Sequence, residues 1–373
     1  MIMRWIFKSF FNDFLRIYFP GILAFGCLLF IQYGLKLNME VKGGAEFSTP
    51  WIVLLFNFFI FSLIDIGHTY TTMLKTYFDK EERQYSRMVW LTPVIVVGML
   101  IIWRYLFDFR WFWVFLAYYT LFHNQRQGFG VMKWYESLNQ KVYPITKFWF
   151  YALTFLPFII YHFRSTISLF GAYYPGKMNL IEVPINRIHA SFLGQNLIFN
   201  NQYHLYLMGL WFIIVNAWLL WELSNYLEIK KIEWNRILAM LYFSGIYAYS
   251  FLVSDSYIET FTLLVASHGI PYMFMLNKRM VNLPQNQNKG LKWIKALPLM
   301  IVGLAVLGGT FDVYNKLVLL NATGGDSAQI FLAPSPMQLI LIILYVSPPI
   351  CHYIWDSYLW KKGHPDGQHF YKS

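Results

Sequence analysis

The chain has 373 residues, of which 57% are hydrophobic, 21% aromatic and only 13% charged, with a formal net charge of +11. Average soluble domains carry about 25% charged residues and about 45–50% apolar ones, so the charges are too few to dress a core of this size in water. A soluble globular enzyme, a disordered chain and a collagen-like chain are excluded, which leaves an all-α, polytopic integral membrane protein.

The positive charge does not point to nucleic acid. No lysine- or arginine-rich block that would track phosphates occurs, and membrane proteins concentrate Lys and Arg in cytoplasmic loops. Cys27 and Cys351 both lie in apolar segments and read as small core residues.

In chain order, Met1 to Phe19 is amphipathic and basic without a small-residue cleavage site, and reads as an interfacial lead-in to the first span. About ten apolar stretches then approach the roughly 20 residues a bilayer requires. They cover 15–35, 51–74, 89–106, 111–131, 147–166, 204–224, 236–254, 257–277, 293–311 and 337–358. With the N-terminus in the cytoplasm, ten alternating spans put 22 of the 30 Lys and Arg residues on the inner side. That asymmetry predicts a single transmembrane domain over 1–373, both termini cytoplasmic, in a bacterial inner membrane. Two outer segments are long, Ile167–Tyr203 and Asp312–Pro336, and the second carries the sequon Asn321-Ala322-Thr323.

Ionisable residues inside spans are costly and tend to face a site. Of nine histidines, His364 and His369 fall in the inner tail, His189 in an outer loop, and His162 and His204 near outer span ends. His68, His123, His268 and His352 lie within spans two, four, eight and ten, all running outside to inside. At 1.5 Å per residue their depths spread over only roughly 9 Å. A lone histidine in a helix bundle usually serves interhelical hydrogen bonding. Four at a common depth instead suit a non-haem iron site, mono- or dinuclear, with zinc as a second candidate. Asp65 and Asp356 share helix faces with His68 and His352 and are expected to hold ring nitrogens or ligate. Asn124, Gln125, Arg126 and Gln127 follow His123 directly, while Asp255 and Glu259 fall too near the outer end of span eight. Thr69, Tyr70 and Tyr77 are expected to support His68, and Arg126 and Lys75 to meet an anionic head group. Aromatic runs such as Trp111–Tyr119 and Phe148–Tyr151 fit a tunnel for a polyene, sterol or quinone as well as they fit ordinary helix packing.

Phe122-His123-Asn124-Gln125-Arg126, continuing through Val131 and Lys133, resembles a segment of the Brp/Blh family of membrane β-carotene dioxygenases. Gly67-His68 with Asp65, and Ser267-His268-Gly269-Ile270-Pro271, are similar to that family in being isolated helix histidines beside small residues. The family's Pro-His-Gly motif with its following aspartate has no match. The resemblance implies that His68, His123, His268 and His352 hold iron and that polyene cleavage is the ancestral chemistry. No His-x-x-x-His or His-x-x-His-His box occurs, unlike the membrane desaturases and hydroxylases.

His268-Gly269-Ile270-Pro271-Tyr272 also resembles the histidine region of membrane-bound O-acyltransferases, which implies His268 as a general base. A third reading is an ion- or proton-coupled transporter using Asp65, Glu222 and Asp356. The expectation carried forward is an oxidoreductase that uses O2 on a lipophilic polyene, lipid or sterol. Arg126, Asp65 and Asp356 would serve its site, with membrane lipids and an electron donor as partners and no nucleic acid.

Overall fold

The computed structural model describes residues 4–37, 50–77, 87–107, 109–139, 143–161, 201–230, 232–254, 257–282, 292–322 and 334–359. His162, His189, His364, His369, Asp255, most of the first long outer segment and Thr323 of the sequon lie outside them.

All ten predicted stretches coincide with helices, and no strand occurs among the described residues. We number them α1 (Phe10–Gly34), α2 (51–76), α3 (Arg87–Leu106), α4 (Phe109–Leu138), α5 (Thr146–Tyr161), α6 (Asn201–Ile229), α7 (Trp234–Val253), α8 (Tyr257–Asn282), α9 (Lys292–Ala322) and α10 (Pro336–Leu359). Six helices are long and apolar enough to cross a membrane: α1, α2, α3, α6, α7 and α10. The apolar parts of α5 and α9 are shorter, and α4 and α8 carry too much polarity to qualify. α4 and α9 outrun their expected ends at 131 and 311, so Asp312 is helical and Asn321 sits in the last turn of α9.

Only 6% of the most apolar window of α6 is buried, and Leu210, Phe212, Ile213, Leu219 and Leu220 stand exposed along it. In water such a face would drive aggregation, whereas in hydrocarbon it is the ordinary surface. The composition of the chain is therefore spent on its outside as well as its core.

The chain divides into two compact units, Met1–Leu15 with Leu121–Leu264, and Arg16–Thr120 with Val265–Ser373. The borders fall inside α1, α4 and α8, where no Gly/Pro-rich linker could have marked them. In the first unit α5 packs on α6 and α7, with Phe150 against Phe243. Buried Asp13 accepts the N–H groups of Ile6 and Phe7 and the Tyr135 hydroxyl, which ties the N-terminal segment to α4.

In the second unit α3 and α10 share an apolar seam of Val96, Leu100, Leu339, Ile342, Val346 and Ile350. α9 lies against α2 at backbone contact. A Cβ on Gly67 would fall 2.7 Å from the carbonyl oxygen of Ala305, so only glycine admits this approach. That approach fixes α2 one residue before His68.

Candidate metal centre

His68, His268 and His352 project from α2, α8 and α10 of the second unit, and each offers a ring nitrogen within 4.8 Å of the others. They are 2%, 5% and 0% exposed. Ring centroids are 4.8 Å apart for His68 and His268, and 4.9 Å for His68 and His352.

α2 reaches this point through a π-helical stretch, Phe58–Ile66, followed by the α-helical Gly67–Thr76. His68 Nδ1 lies 2.7 Å from the Ile64 carbonyl oxygen. A carbonyl only accepts, so the proton sits on Nδ1 and the lone pair on Nε2. The expected holder of this ring was Asp65, which is half-buried on the same helix; a backbone carbonyl one turn back does it instead.

His268 comes within reach because its neighbour lacks a side chain. A Cβ on Gly269 would lie 2.9 Å from Ile64 Cγ2 and 3.0 Å from the Ile64 carbonyl oxygen. The close passage of α8 over α2 brings His268 Nε2 to 3.1 Å from His68 Nε2.

His352 is oriented by residues one helical turn below the histidines. Thr72, Tyr272 and Asp356 each follow a cluster histidine by four positions, on α2, α8 and α10 respectively. Four residues make about one turn, so three histidines in one layer place these three in the next. Tyr272 donates its hydroxyl to Asp356 Oδ1 at 2.8 Å. Its oxygen is 2.8 Å from Thr72 Oγ1, which is 2.6 Å from His352 Nδ1.

With Asp356 ionised, only one proton order satisfies this chain. Tyr272 gives its proton to Asp356, Thr72 gives its own to Tyr272, and His352 Nδ1–H gives to Thr72. His352 therefore also carries its lone pair on Nε2, 3.7 Å from Asp356 Oδ2.

Thr72 and Tyr272 are the members that sequence reasoning did not assign to this role. The repeated spacing of four after each histidine was the available signal. Thr69, expected to support the site, gives its hydroxyl to the Ile66 carbonyl, and Tyr77 packs on Trp90 and Trp355 and bonds the Val89 carbonyl.

The donor set suits a divalent transition ion. At about 2.1 Å from one ion, two nitrogens stand roughly 3.0 Å apart at right angles and roughly 3.4 Å apart in a tetrahedron. The 3.1 Å between His68 and His268 falls between these values. The widest ligand separation, at most 4.8 Å, closes with side-chain rotation of about an ångström or more. Neutral imidazoles in a buried pocket fit iron or zinc, the hydroxyls and carbonyl behind them fix the tautomers, and the Asp356 carboxylate offsets part of the ion's charge.

His123, the fourth expected ligand, is buried on α4 in the first unit, and Arg126 stands exposed there over the Phe122 ring. The geometry described here concerns the other three histidines. His204 lies near the start of α6. Glu222, one of the three carboxylates of the transporter reading, is ion-paired to Arg236. No family model, curated protein or solved structure matches the chain.

Proposed function

We propose that the protein is a membrane-embedded, metal-dependent oxidoreductase whose His68, His268 and His352 hold a non-haem iron ion acting with O2 on a lipophilic substrate. The observation that carries this reading is the layer of three buried imidazoles from three helices, two with Nε2 lone pairs fixed by their own hydrogen bonds. Iron, when bound, supplies a site for O2 and the redox change, because three protein ligands leave coordination positions open.

The chain's own residues do the rest. The Ile64 carbonyl and Thr72 hydroxyl hold the His68 and His352 rings in the ligating tautomer. Tyr272 and Asp356 anchor Thr72 in turn, through the hydroxyl network. Buried apolar residues that include Leu74, Leu276, Met280 and Ile301 pack around Tyr272, so the surroundings favour an apolar reactant over an ionic one.

Addition of both oxygen atoms across one C=C bond, giving two carbonyl products, balances without an external reductant. Insertion of one oxygen atom would draw two electrons from a separate donor. The proposal includes the topology read from charge, with ten spans and both termini on the cytoplasmic side of a bacterial inner membrane. The Brp/Blh resemblance makes a polyene the first substrate to try.

The test is metal analysis of detergent-purified protein followed by anaerobic loading with ferrous iron. The expected result is about one iron per chain, with substrate-dependent O2 uptake upon adding a polyene. His68→Ala, His268→Ala and His352→Ala should each lose both. Iron and zinc content that stays substoichiometric and indifferent to all three substitutions would falsify the site. If His268 were an acyltransferase base, His268→Ala alone would abolish activity while the other two variants kept it.

A further inference from the structure

A second buried polar cluster lies within the first unit, where α6 ends and α7 begins. Arg236 bonds Glu222 through Nη2 and Glu233 through Nε, the latter at 3.4 Å. Trp218 Nε1 holds the other oxygen of Glu222 at 3.1 Å. The guanidinium is stacked over the rings of Tyr143, at 4.5 Å, and Trp221, at 5.1 Å. All three ionic side chains are nearly buried, at 2% for Arg236, 9% for Glu222 and 4% for Glu233.

The cluster is not complete in itself. Arg236 Nη1, Asn225 Nδ2 and Glu233 Oε1 are buried and have no hydrogen-bond partner. Burying polar atoms in this state is costly, and native structures hold few of them. All three residues line one open-sided cleft of about 560 Å³, counting its mouth. Its remaining wall is mostly apolar, with Tyr226, Ile229, Trp234 and Ile237 among the lining residues.

The chemistry of the missing partner follows from this inventory. Two carboxylates face one guanidinium, so the protein side carries one surplus negative charge and has one acceptor to fill. Two donors, a guanidinium N–H and an amide N–H, ask for anionic oxygen close by. A molecule bearing an ammonium and a phosphate on a short tether answers both demands. Position narrows its source. α6 and α7 are both long and apolar enough to cross a membrane, and the cleft sits at their junction, 230–233. The ends of membrane-spanning helices lie at the depth of lipid head groups. Burial, and then the Glu233 carboxylate beside it, push the Tyr143 hydroxyl up to about 12, with Arg236 opposing, so this wall stays uncharged.

We propose that this cleft binds the zwitterionic head group of an aminophospholipid, with phosphate on Arg236 and Asn225, ammonium on Glu233, and the acyl chains along the exposed faces of Leu223, Tyr226 and Trp234. This assignment rests on the membrane reading of α6 and α7 and is independent of the metal centre.

The test is native mass spectrometry of the delipidated full chain offered equal amounts of phosphatidylethanolamine, phosphatidylcholine and phosphatidylglycerol. Phosphatidylcholine cannot donate a hydrogen bond to Glu233, and phosphatidylglycerol has no ammonium. Phosphatidylethanolamine should be retained over both by about tenfold or more, the worth of one charged hydrogen bond. Glu233→Gln and Asn225→Leu should each erase most of that preference without lowering retention of the other two lipids. Equal retention of all three lipids by the unmodified protein overturns the proposal, as does a preference unchanged in both variants. Displacement of the bound lipid by equimolar O-phosphoethanolamine overturns the lipid assignment and makes a soluble zwitterion the ligand. None of these outcomes depends on iron, so the metal reading stands or falls separately.

Discussion

The histidine layer and the arginine cluster each sit at between 0% and 9% exposure, one in each unit. The first is built from imidazoles held neutral by a carbonyl and a hydroxyl, with one carboxylate a turn away. The second is built from full charges, one guanidinium between two carboxylates, capped by aromatic rings. A neutral layer folds without its guest and leaves lone pairs directed inward, which prepares it to receive a cation. A charged cluster must be compensated from within before the helices can pack, and what it offers a guest is the remainder.

The contrast breaks most sharply at Arg236. Arg236→Met leaves Glu222 and Glu233 buried without their cation and should cost about 3–5 kcal/mol, read as a large fall in the thermal midpoint of detergent-solubilised protein. Adding Glu222→Gln should recover part of the loss. No single histidine substitution is expected to destabilise the metal-free protein as much.

Metal removal probes the other side. If iron is present at about a hundred times its dissociation constant, chelation should remove about 2.7 kcal/mol of stability from the unmodified protein. It should remove none from His352→Ala, and differential scanning of both forms with and without chelator decides. His123→Ala sharpens the same point, because three ligands predict retained iron, whereas loss would restore the four-histidine expectation from the sequence.

Gly67→Ala tests the helix approach that delivers His68. Its Cβ would meet the Ala305 carbonyl oxygen at 2.7 Å, so α2 and α9 must separate at a cost of about 1–3 kcal/mol. Iron retention should fall along with the melting midpoint. The mildest change is Tyr272→Phe, which removes one hydroxyl from the chain between Thr72 and Asp356. We expect a loss of about 1 kcal/mol in stability and about tenfold weaker metal binding, measured by competition with a chromophoric chelator.

Sequence alone reached the helical architecture because hydropathy is a local property, and a run such as 89–106 announces itself without its neighbours. It also brought His68, His268 and His352 to one depth, since depth follows from counting residues along spans of common direction. It did not reach the partners. Asp65 and Asp356 were chosen for lying on the same helices as histidines, yet His68 is held by the Ile64 carbonyl and His352 by Thr72 of another helix. Which helix faces which depends on approaches such as Gly67 to Ala305 and Gly269 to Ile64. A glycine in a sequence does not name what passes over it. Arg236 was counted as a loop cation of the inner side, and only the hairpin of α6 and α7 folds it back, fourteen positions along the chain, onto Glu222.

α2 enters the metal centre through nine consecutive residues of π-helix, Phe58–Ile66. A π-turn closes between residues five apart and so holds one residue more than an α-turn. Such a run can shed a residue and remain helical, which an α-helix of fixed register cannot do without consequence. A single deletion anywhere in 58–66 would leave the hydropathy and helix content almost unchanged. It would swing everything after it by about 100° relative to everything before, and His68 would point at a different neighbour. The bearing of that imidazole is thus set by the length of a stretch whose individual side chains play no part in the chemistry.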